Sequence, residues 1–416
     1  MVKIIVRNLL IILCYTLCSE QVMGQIQHDS FIEKLLKKHP DRFSEILKTP
    51  EKYNIQILYT KIDRNLKNEP HFKTYAYRVN RGEYFYPAST VKLLAVVLAF
   101  EKLNRLGIDK DTPMLTEAAR PEQTKVASDS SSQNGLPSVA HYAKKVLLAS
   151  DNDAFNRLYE FIGQEEFNEG LLKKGYKGVR IVHRLESSIG SENNRYTNPI
   201  KFVQDGKVIY EQPERYSPRT YFANKPILRG IGYMDGGKMV DEPFAFTEKN
   251  CFPLEEQHQV LKAIFFPAQT LAQQRFDLKE SDYRFLYQYM SQFPVETSFP
   301  ANYTDDYYDG SVKYLLFGAT QTRLPRHIRL FNKSGEAYGY LLDNAYIADF
   351  EKGIEFMLSA VIYVNEDGVF NDDQYEYKTM GLPFMANLGK TIFEYELSRK
   401  RMVRPDLERF EVEYDK

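Results

Sequence analysis

The sequence predicts an α+β fold in which both ends of the chain build one antiparallel sheet around a mainly helical insert. Three observations lead to this prediction: strand-like segments near the start, strand-like segments near the end, and helical periodicity between them. The 416 residues include 55 Lys and Arg against 56 Asp and Glu, and 43% are hydrophobic. This composition indicates a globular protein and argues against a nucleic-acid binder, which would carry a basic excess.

The first part of the predicted sheet follows an amphipathic segment. Residues 29–48 carry an approximate apolar stripe that predicts one helix. Residues 53–62 and 71–80 are rich in aromatic and β-branched side chains, which predicts two strands joined by a charged turn. Residues 89–106 are strongly apolar, so we expect a helix that is buried on most sides and ends at Gly107.

The remaining elements divide the chain into a helical middle and a second group of strands. Helices are predicted at 139–149, 153–162, 254–264, 281–292 and 383–399, and strands at 326–334, 338–350 and 354–364. Residues 163–250 contain short strand-like pieces. We therefore expect one domain over 25–416, with the sheet at about 25–106 and 312–416 and the mainly helical part at about 107–311.

Residues 1–24 are predicted to be an export signal. Lys3 and Arg7 precede a short apolar run, and Gln25 would follow the cleavage site. The run is well below the roughly 20 residues that span a bilayer, which disfavours a membrane anchor. Cys14 and Cys18 leave a lipoprotein open, although leucine precedes each of them where a small residue is needed. The mature protein is expected to be periplasmic or secreted, with no membrane span.

Ser89 and Lys92 form the first of three short motifs that suggest chemistry. On a helix the two residues share a face, which brings the amine within reach of the hydroxyl. A serine needs such a base to act as a nucleophile, and a lysine can serve when burial and nearby cations lower its pKa. The Ser89 N–H at the predicted helix start could donate to an oxyanion. A helix start that merely contains both residues is the alternative interpretation.

The second motif is Ser150-Asp151-Asn152, which separates two predicted helices. Its serine hydroxyl could relay a proton, and its asparagine amide could hold a substrate carbonyl. All three residue types are also good helix caps, so this motif alone is better explained by capping of the helix that follows.

The third motif is Lys333-Ser334-Gly335, at the end of a predicted strand. The lysine adds positive charge, and the glycine allows a substrate backbone to approach closely. By itself the triplet could also be a solvated strand end.

In this order, S-x-x-K, S-D-N and K-[ST]-G are the signature of class A β-lactamases and penicillin-binding proteins. The sequence therefore resembles the class A β-lactamase-like serine hydrolases over most of its mature length. The resemblance implies a β-lactamase/transpeptidase-like fold and an exported enzyme that cleaves amide bonds. The expected substrates are β-lactams or peptidoglycan peptides, without a cofactor, metal or nucleic acid.

The resemblance also implies a role for each matching residue. Ser89 would be the acylated nucleophile, and Lys92 would accept its proton. Ser150 would pass a proton to the leaving nitrogen, and Asn152 would bind the amide side chain of the substrate. Lys333 would tune the other two proton-carrying side chains and attract a substrate carboxylate.

Four further positions complete the expected site. The substrate is expected to lie along Ser334, Gly335 and Glu336, with the oxyanion hole formed by the N–H groups of Ser89 and Glu336. Glu186 follows Ser150 at about the distance at which class A enzymes carry the glutamate that activates the deacylating water. An exposed loop residue is the alternative interpretation of Glu186.

The match to the family is incomplete around the substrate. Gly190 stands where an asparagine usually helps to hold the deacylating water, Glu336 where a small residue is usual, and Leu342-Asp343-Asn344 where an arginine often binds a carboxylate. The segment between Glu186 and Lys333 is also unusually long. A β-lactamase, a peptidoglycan DD-peptidase and a non-catalytic binding protein on the same fold therefore all remain open.

Overall fold

The structure, a computed structural model, describes residues 30–300, 307–318 and 320–415. The predicted signal at 1–24 lies outside the described residues. The helices are α1 Phe31–Lys37, α2 Pro40–Lys48, α3 Val91–Leu106, α4 Val139–Ala149, α5 Asn152–Ile162, α6 Gln164–Lys173, α7 Gly190–Asn193, α8 Leu254–Phe265, α9 Glu280–Ser291, α10 Tyr314–Phe317 and α11 Leu382–Ser398. The described part of the chain contains no helix that is long and apolar enough to cross a membrane.

The strands form one large sheet and three small ones. They are β1 Gln56–Arg64, β2 Pro70–Tyr77, β3 Met114–Thr116, β4 Ile200–Gln204, β5 Lys207–Gln212, β6 Leu228–Arg229, β7 Gly232–Asp235, β8 Lys238–Val240, β9 Phe244–Ala245, β10 Ile328–Ala337, β11 Tyr340–Asp349, β12 Ile354–Tyr363 and β13 Val369–Phe370. The large sheet has the order β10-β11-β12-β1-β2, and all its neighbouring strands are antiparallel.

The large sheet joins the two ends of the chain, as predicted. Strand β1 pairs with β12, with Leu58 opposite Ser359. Side chains of successive residues point to opposite faces of a strand. Accordingly, Leu330 belongs to a core with helices α1, α2 and α11, whereas Phe331 belongs to a second core with α3, α4, α5, α8 and α9. Helices therefore cover both faces of the sheet, and the α+β prediction is confirmed.

The predicted single helix at 29–48 is wrong, because two helices occupy this segment. Pro40 is the first residue of α2, and His39 before it has non-helical angles (φ −122°, ψ 65°). A proline has no N–H to continue the helical ladder and disfavours helical angles in the residue before it. The same residue is well suited to begin a new helix.

Helix α3 matches its prediction and carries the first motif at its start. Its residues from Val91 to Leu103 are all buried, so the helix lies inside the molecule. It ends at Gly107, which takes the left-handed conformation (φ 67°) that glycine adopts without steric cost. A single 3₁₀ turn, Ala88–Thr90, leads into the helix.

The insert contains more strand than its periodicity suggested. Helices α4 and α5 lie where they were predicted, but the pieces between residues 200 and 245 fold into short hairpins. Strands β7 and β8 form one of these hairpins, and β7 also pairs in parallel with β13. Strand β13 comes after the last strand of the large sheet in the chain. This pairing ties the long segment between Glu186 and Lys333 to the C-terminal half of the fold.

Candidate active site

Ser89 lies at the centre of the 3₁₀ turn that leads into α3, and it is half-buried. The turn is held by Thr90, whose hydroxyl donates to the Pro87 carbonyl at 2.6 Å. Ala88 has a left-handed backbone (φ 47°), which costs a residue with a Cβ roughly 1 kcal/mol. The fold therefore accepts local strain immediately before the serine, as is common at functional sites.

The Lys92 amine lies one helical turn from the serine, fully buried against the second motif. Its Nζ donates to the Ser150 carbonyl and to the Ser150 Oγ, the latter at 3.2 Å. Burial, and then the neighbouring charge of Lys333, hold the pKa of Lys92 well below its usual value. The carboxylates of Asp151 and Glu186 act in the opposite direction and are smaller influences. A neutral amine is thus favoured, and only a neutral amine can accept a proton.

Lys333 reaches the same hydroxyl from strand β10. Its Nζ donates to the Ser150 Oγ at 2.9 Å and to the Ser334 carbonyl at 2.8 Å. Burial lowers the pKa of Lys333 to about 7, against the opposing charge of Asp343. A hydroxyl has two acceptor positions and one proton. Since the amines of Lys92 and Lys333 occupy both acceptor positions, the Ser150 proton is free to be donated elsewhere.

Gly335 brings strand β10 against the turn that holds the serine. A Cβ at Gly335 would lie 2.6 Å from the backbone N of Ser89 and 3.1 Å from that of Thr90. The first distance is shorter than real Cβ contacts and its partner is a backbone atom, so a residue with a Cβ would force the strand and the turn apart. The contact places the residue before Glu336 against the backbone of the serine. An oxyanion hole shared by the Ser89 and Glu336 N–H groups requires this closeness.

A cavity of about 410 Å³ opens beside Ser89. Among the residues that line it are four predicted ones: Ser89, Asn152, Glu186 and Glu336. Asn152 begins α5 and is partly exposed, so its amide is accessible from the cavity. The lining does not include Ser334. This side chain is buried, and its hydroxyl donates to the Val312 carbonyl at 3.0 Å.

The loop that carries Glu186 is fixed by its neighbours. Asn156 on α5 holds Leu185 from both sides, accepting from its N–H at 2.8 Å and donating to its carbonyl at 2.9 Å. Asn194 accepts from the Arg184 N–H at 2.8 Å and donates to the Gly190 carbonyl at 2.7 Å. Asn194 thus braces the loop.

Glu186 itself is exposed and has a left-handed backbone (φ 48°). It lines the cavity with Ser89, and its charge acts on Lys92. The loop therefore presents its carboxylate to the serine side of the cavity, although Gly190 provides no amide beside it.

A buried polar network, not predicted from the sequence, lies behind Lys333. Asp343 is fully buried and accepts from the Leu315 N–H at 3.0 Å and from Asn332 Nδ2 at 2.7 Å. Lys313 donates to Asn332 Oδ1 at 2.8 Å, and burial lowers the pKa of this lysine to about 7. Burial likewise raises the pKa of Asp343 to about 6. Nothing in the sequence around Lys313 or Asp343 indicated that both would meet Asn332 in the interior.

The sequence analysis also missed the aromatic wall of the cavity. Four tyrosines line it: Tyr86, Tyr338, Tyr375 and Tyr377. They come from the turn before Ser89, the hairpin after β10 and the segment after β13. The high tyrosine content was visible in the composition, but nothing local connected these positions.

Comparison with known proteins agrees with the motifs. Residues 44–220 match the model of a family described as the beta-lactamase enzyme family. This segment contains Ser89, Lys92, Ser150, Asn152 and Glu186. Over residues 44–220 the chain is therefore similar to a β-lactamase-like enzyme family. None of the curated proteins matches the sequence.

Several solved structures are similar in fold. They include a beta lactamase from Xanthomonas campestris (13% identity, TM-score 0.49, covering 86% of this chain and 98% of that chain), the chromosome-encoded beta-lactamase of Vibrio parahaemolyticus (14%, 0.47, 86% and 99%) and a class A beta-lactamase from Clostridium kluyveri (14%, 0.47, 85% and 97%). At such low identity these structures say nothing about the substrate of this chain, which has to be inferred from its own site.

Proposed function

We propose that the protein is an exported serine hydrolase that cleaves amide bonds, those of β-lactams among them, through an acyl-enzyme on Ser89. The observation that carries this proposal is the position of the Ser150 hydroxyl between the amines of Lys92 and Lys333, next to the cavity that Ser89 lines. A buried lysine with a lowered pKa, one helical turn from a half-exposed serine, is consistent with a base that activates a serine nucleophile.

These contacts support the following course of acylation. The Ser89 oxygen attacks the carbonyl carbon, and its proton passes to the neutral Lys92 amine, directly or through a water. The N–H groups of Ser89 and Glu336 stabilise the charge on the carbonyl oxygen. As the C–N bond breaks, the leaving nitrogen takes the proton of the Ser150 hydroxyl, which is replaced from the protonated Lys92. The products are a Ser89 ester and a free amine.

Hydrolysis of this ester completes the reaction. Glu186 would take a proton from a water molecule, whose oxygen then attacks the ester carbonyl and releases a carboxylic acid. The proton held by Glu186 passes to the departing Ser89 oxygen, which restores the hydroxyl and the Glu186 carboxylate. Its place in the cavity wall supports this role. Its exposure and the glycine at position 190 favour the second candidate, a peptidoglycan DD-peptidase that is acylated by β-lactams but releases them slowly.

We also propose that the enzyme acts outside the cytoplasm, in the periplasm or the medium, after removal of residues 1–24. The basic and apolar start of the sequence supports this proposal. N-terminal sequencing of protein from the cell envelope should give Gln25 as the first residue. A retained Met1 in a soluble cytoplasmic fraction would contradict it.

Labelling with a fluorescent penicillin tests the nucleophile and the base together. Ser89→Ala should abolish the covalent label, because no other oxygen takes its position. Lys92→Ala should slow labelling by about 10²-fold or more, the usual scale for loss of a positioned base. Ser188→Ala, in an exposed loop outside the cavity lining, is the matched control and should label like the wild type.

Intact mass spectrometry should show one adduct on the wild type. Equal labelling of the wild type and Ser89→Ala would exclude the proposed nucleophile. A wild type that binds ligands without any covalent adduct would favour the third candidate, a non-catalytic binding protein.

A further inference from the structure

We propose that the cavity beside Ser89 selects acyl donors that carry a positively charged group, such as an ammonium, near the scissile carbonyl. This inference rests on the proposed function and names the substrate class for that site. It reverses the charge preference that the resemblance implied, in which Lys333 attracts a substrate carboxylate.

The first observation is the charge of the cavity wall. Three carboxylates line it with Ser89, namely Glu186, Glu336 and Asp373, and the described residues of the lining include no lysine or arginine. Charges around a cavity of about 410 Å³ lie within roughly one Debye length, about 10 Å at 0.1 M salt. They therefore act together on any charged group that enters.

The second observation is that the lysines of the first and third motifs already have hydrogen-bond partners. Lys92 and Lys333 are only 0% and 3% exposed, and their amines donate to Ser150 and to the Ser334 carbonyl. Burial also lowers the pKa of both lysines, that of Lys333 to about 7. Neither amine is therefore a full, accessible positive charge for a substrate carboxylate at neutral pH.

The third observation is that none of the three carboxylates forms an ion pair with a described residue. No ion pair in the described part of the chain includes Glu186, Glu336 or Asp373. Glu336 is hydrogen-bonded by Tyr314 and feels the more distant charge of Lys378, and the raised pKa of Glu336 reflects its partial burial. An incoming ammonium would supply the missing counter-charge and stabilise the ionised form.

The aromatic wall fits the same group. Tyr86 and Tyr338 meet edge to face with ring centroids 4.9 Å apart, and Tyr375 and Tyr377 lie 5.3 Å apart. Ring faces attract an ammonium through their quadrupole. The pairing of β7 with β13 positions the segment that carries Asp373, Tyr375 and Tyr377 beside the serine. The cavity wall thus combines negative charge with aromatic rings, as cation-binding sites do.

A matched set of three penicillins tests the inference. The compounds share the ring system and differ only at the end of the acyl side chain, which is an ammonium, a neutral amide or a carboxylate. The second-order rate of Ser89 acylation is measured by intact mass spectrometry. We expect the ammonium compound to react about tenfold faster than the carboxylate compound, since each exposed ion pair contributes up to about fivefold.

Three variants test which carboxylates cause the preference for the ammonium compound. Glu336→Gln and Asp373→Asn should each reduce the ratio of the two rates by about threefold, and added salt should reduce it further. Asp372→Asn is the matched control, because Asp372 precedes Asp373 but does not line the cavity. Its amide oxygen can still accept from the Gln374 N–H, so the loop keeps its turn, and the ratio should not change.

Calorimetric binding of the same compounds to Ser89→Ala separates this inference from the proposed function. Acylation without charge preference, or with preference for the carboxylate compound, overturns the inference and leaves the proposed function intact. Absence of acylation, with tighter binding of the ammonium compound to Ser89→Ala, overturns the proposed function and supports the cationic ligand. Absence of both acylation and charge-selective binding overturns both.

Discussion

At the scale of single residues, Ser150 shows how backbone conformation determines side-chain chemistry. It ends α4 with left-handed angles (φ 58°, ψ 35°), and Asp151 then caps α5 by accepting from the Ala154 N–H at 2.8 Å. The helix cap and the proposed proton relay therefore belong to different residues of the motif. Because Asp151 carries the cap, Ser150 can direct its hydroxyl to Lys92 and Lys333.

Glu186 is the residue on which the distinction between a β-lactamase and a DD-peptidase depends. If it activates the deacylating water, Glu186→Gln should acylate normally but retain the Ser89 adduct about 10²- to 10⁴-fold longer than the wild type, because the base is lost. Adduct lifetime with a penicillin is followed by intact mass spectrometry.

Glu192→Gln provides the control for Glu186→Gln. Glu192 is exposed in the same part of the chain and does not line the cavity, so its substitution should leave the lifetime unchanged. If the wild type and Glu186→Gln hold equally long-lived adducts, Glu186 is a loop residue and the DD-peptidase assignment is favoured.

At the scale of elements, helix α8 is joined to the large sheet by a buried histidine. The two ring nitrogens of His258 lie 2.7 Å from the Thr60 hydroxyl on β1 and 2.8 Å from the Ser359 hydroxyl on β12. Burial, with a smaller contribution from Lys262, lowers the pKa of His258 to about 3. The helix is thus positioned on two neighbouring strands by a histidine that is neutral in the folded state.

This histidine makes the stability of the fold depend on pH. Below the ordinary histidine pKa of about 6.5, the unfolded chain binds a proton that the folded state binds only near pH 3, so stability is lost as the pH falls. The loss is up to about 1.4 kcal/mol per pH unit, or about 2 kcal/mol by pH 5. The free energy of unfolding is measured with urea at pH 7 and at pH 5. Between these two pH values it should fall by about 2 kcal/mol less for His258→Gln than for the wild type.

His71→Gln is the control for this measurement, because His71 is exposed on β2. The stability of the His71→Gln variant should change with pH as that of the wild type does. If His258→Gln also follows the wild type, His258 is not the group that links folding to protonation between pH 7 and pH 5.

At the scale of the whole molecule, the sheet makes the two ends of the chain depend on one another. Leu358 on β12 is 0% exposed, and its strand lies between β11 from the C-terminal half and β1 from the N-terminal half. Leu358→Ala should therefore lower the free energy of unfolding by about 2–5 kcal/mol, the usual cost of a buried leucine truncation. Leu66→Ala, at a residue that is 92% exposed, should change it by less than about 0.5 kcal/mol.

Two probes decide whether the sheet and the insert unfold together. Circular dichroism follows the whole fold, and thiol labelling follows Cys251, the free cysteine between β9 and α8 in the insert. In a single domain over 25–416, Leu358→Ala shifts both midpoints equally. If Leu358→Ala shifts the dichroism midpoint but not the labelling midpoint, the sheet and the insert unfold as two separate units.

The sequence by itself determined the elements with strong local signals and the positions of the three motifs. The apolar run of α3, its glycine end, the helices around Ser150 and the three motifs depend on neighbouring residues, so periodicity and spacing were sufficient to find them. Pro40 is also a local signal for a helix break, but the apolar stripe continues across it and therefore predicted a single helix.

Only the tertiary structure decided what surrounds the serine. The approach of Gly335 to Ser89, the burial that lowers the pKa of Lys92 and Lys333, and the buried carboxylate of Asp343 depend on how β10 and β11 pack against the turn that holds Ser89. The wall of carboxylates and tyrosines likewise joins segments far apart in the chain. Desolvation and charge depend on distances in space, which the order of residues does not contain.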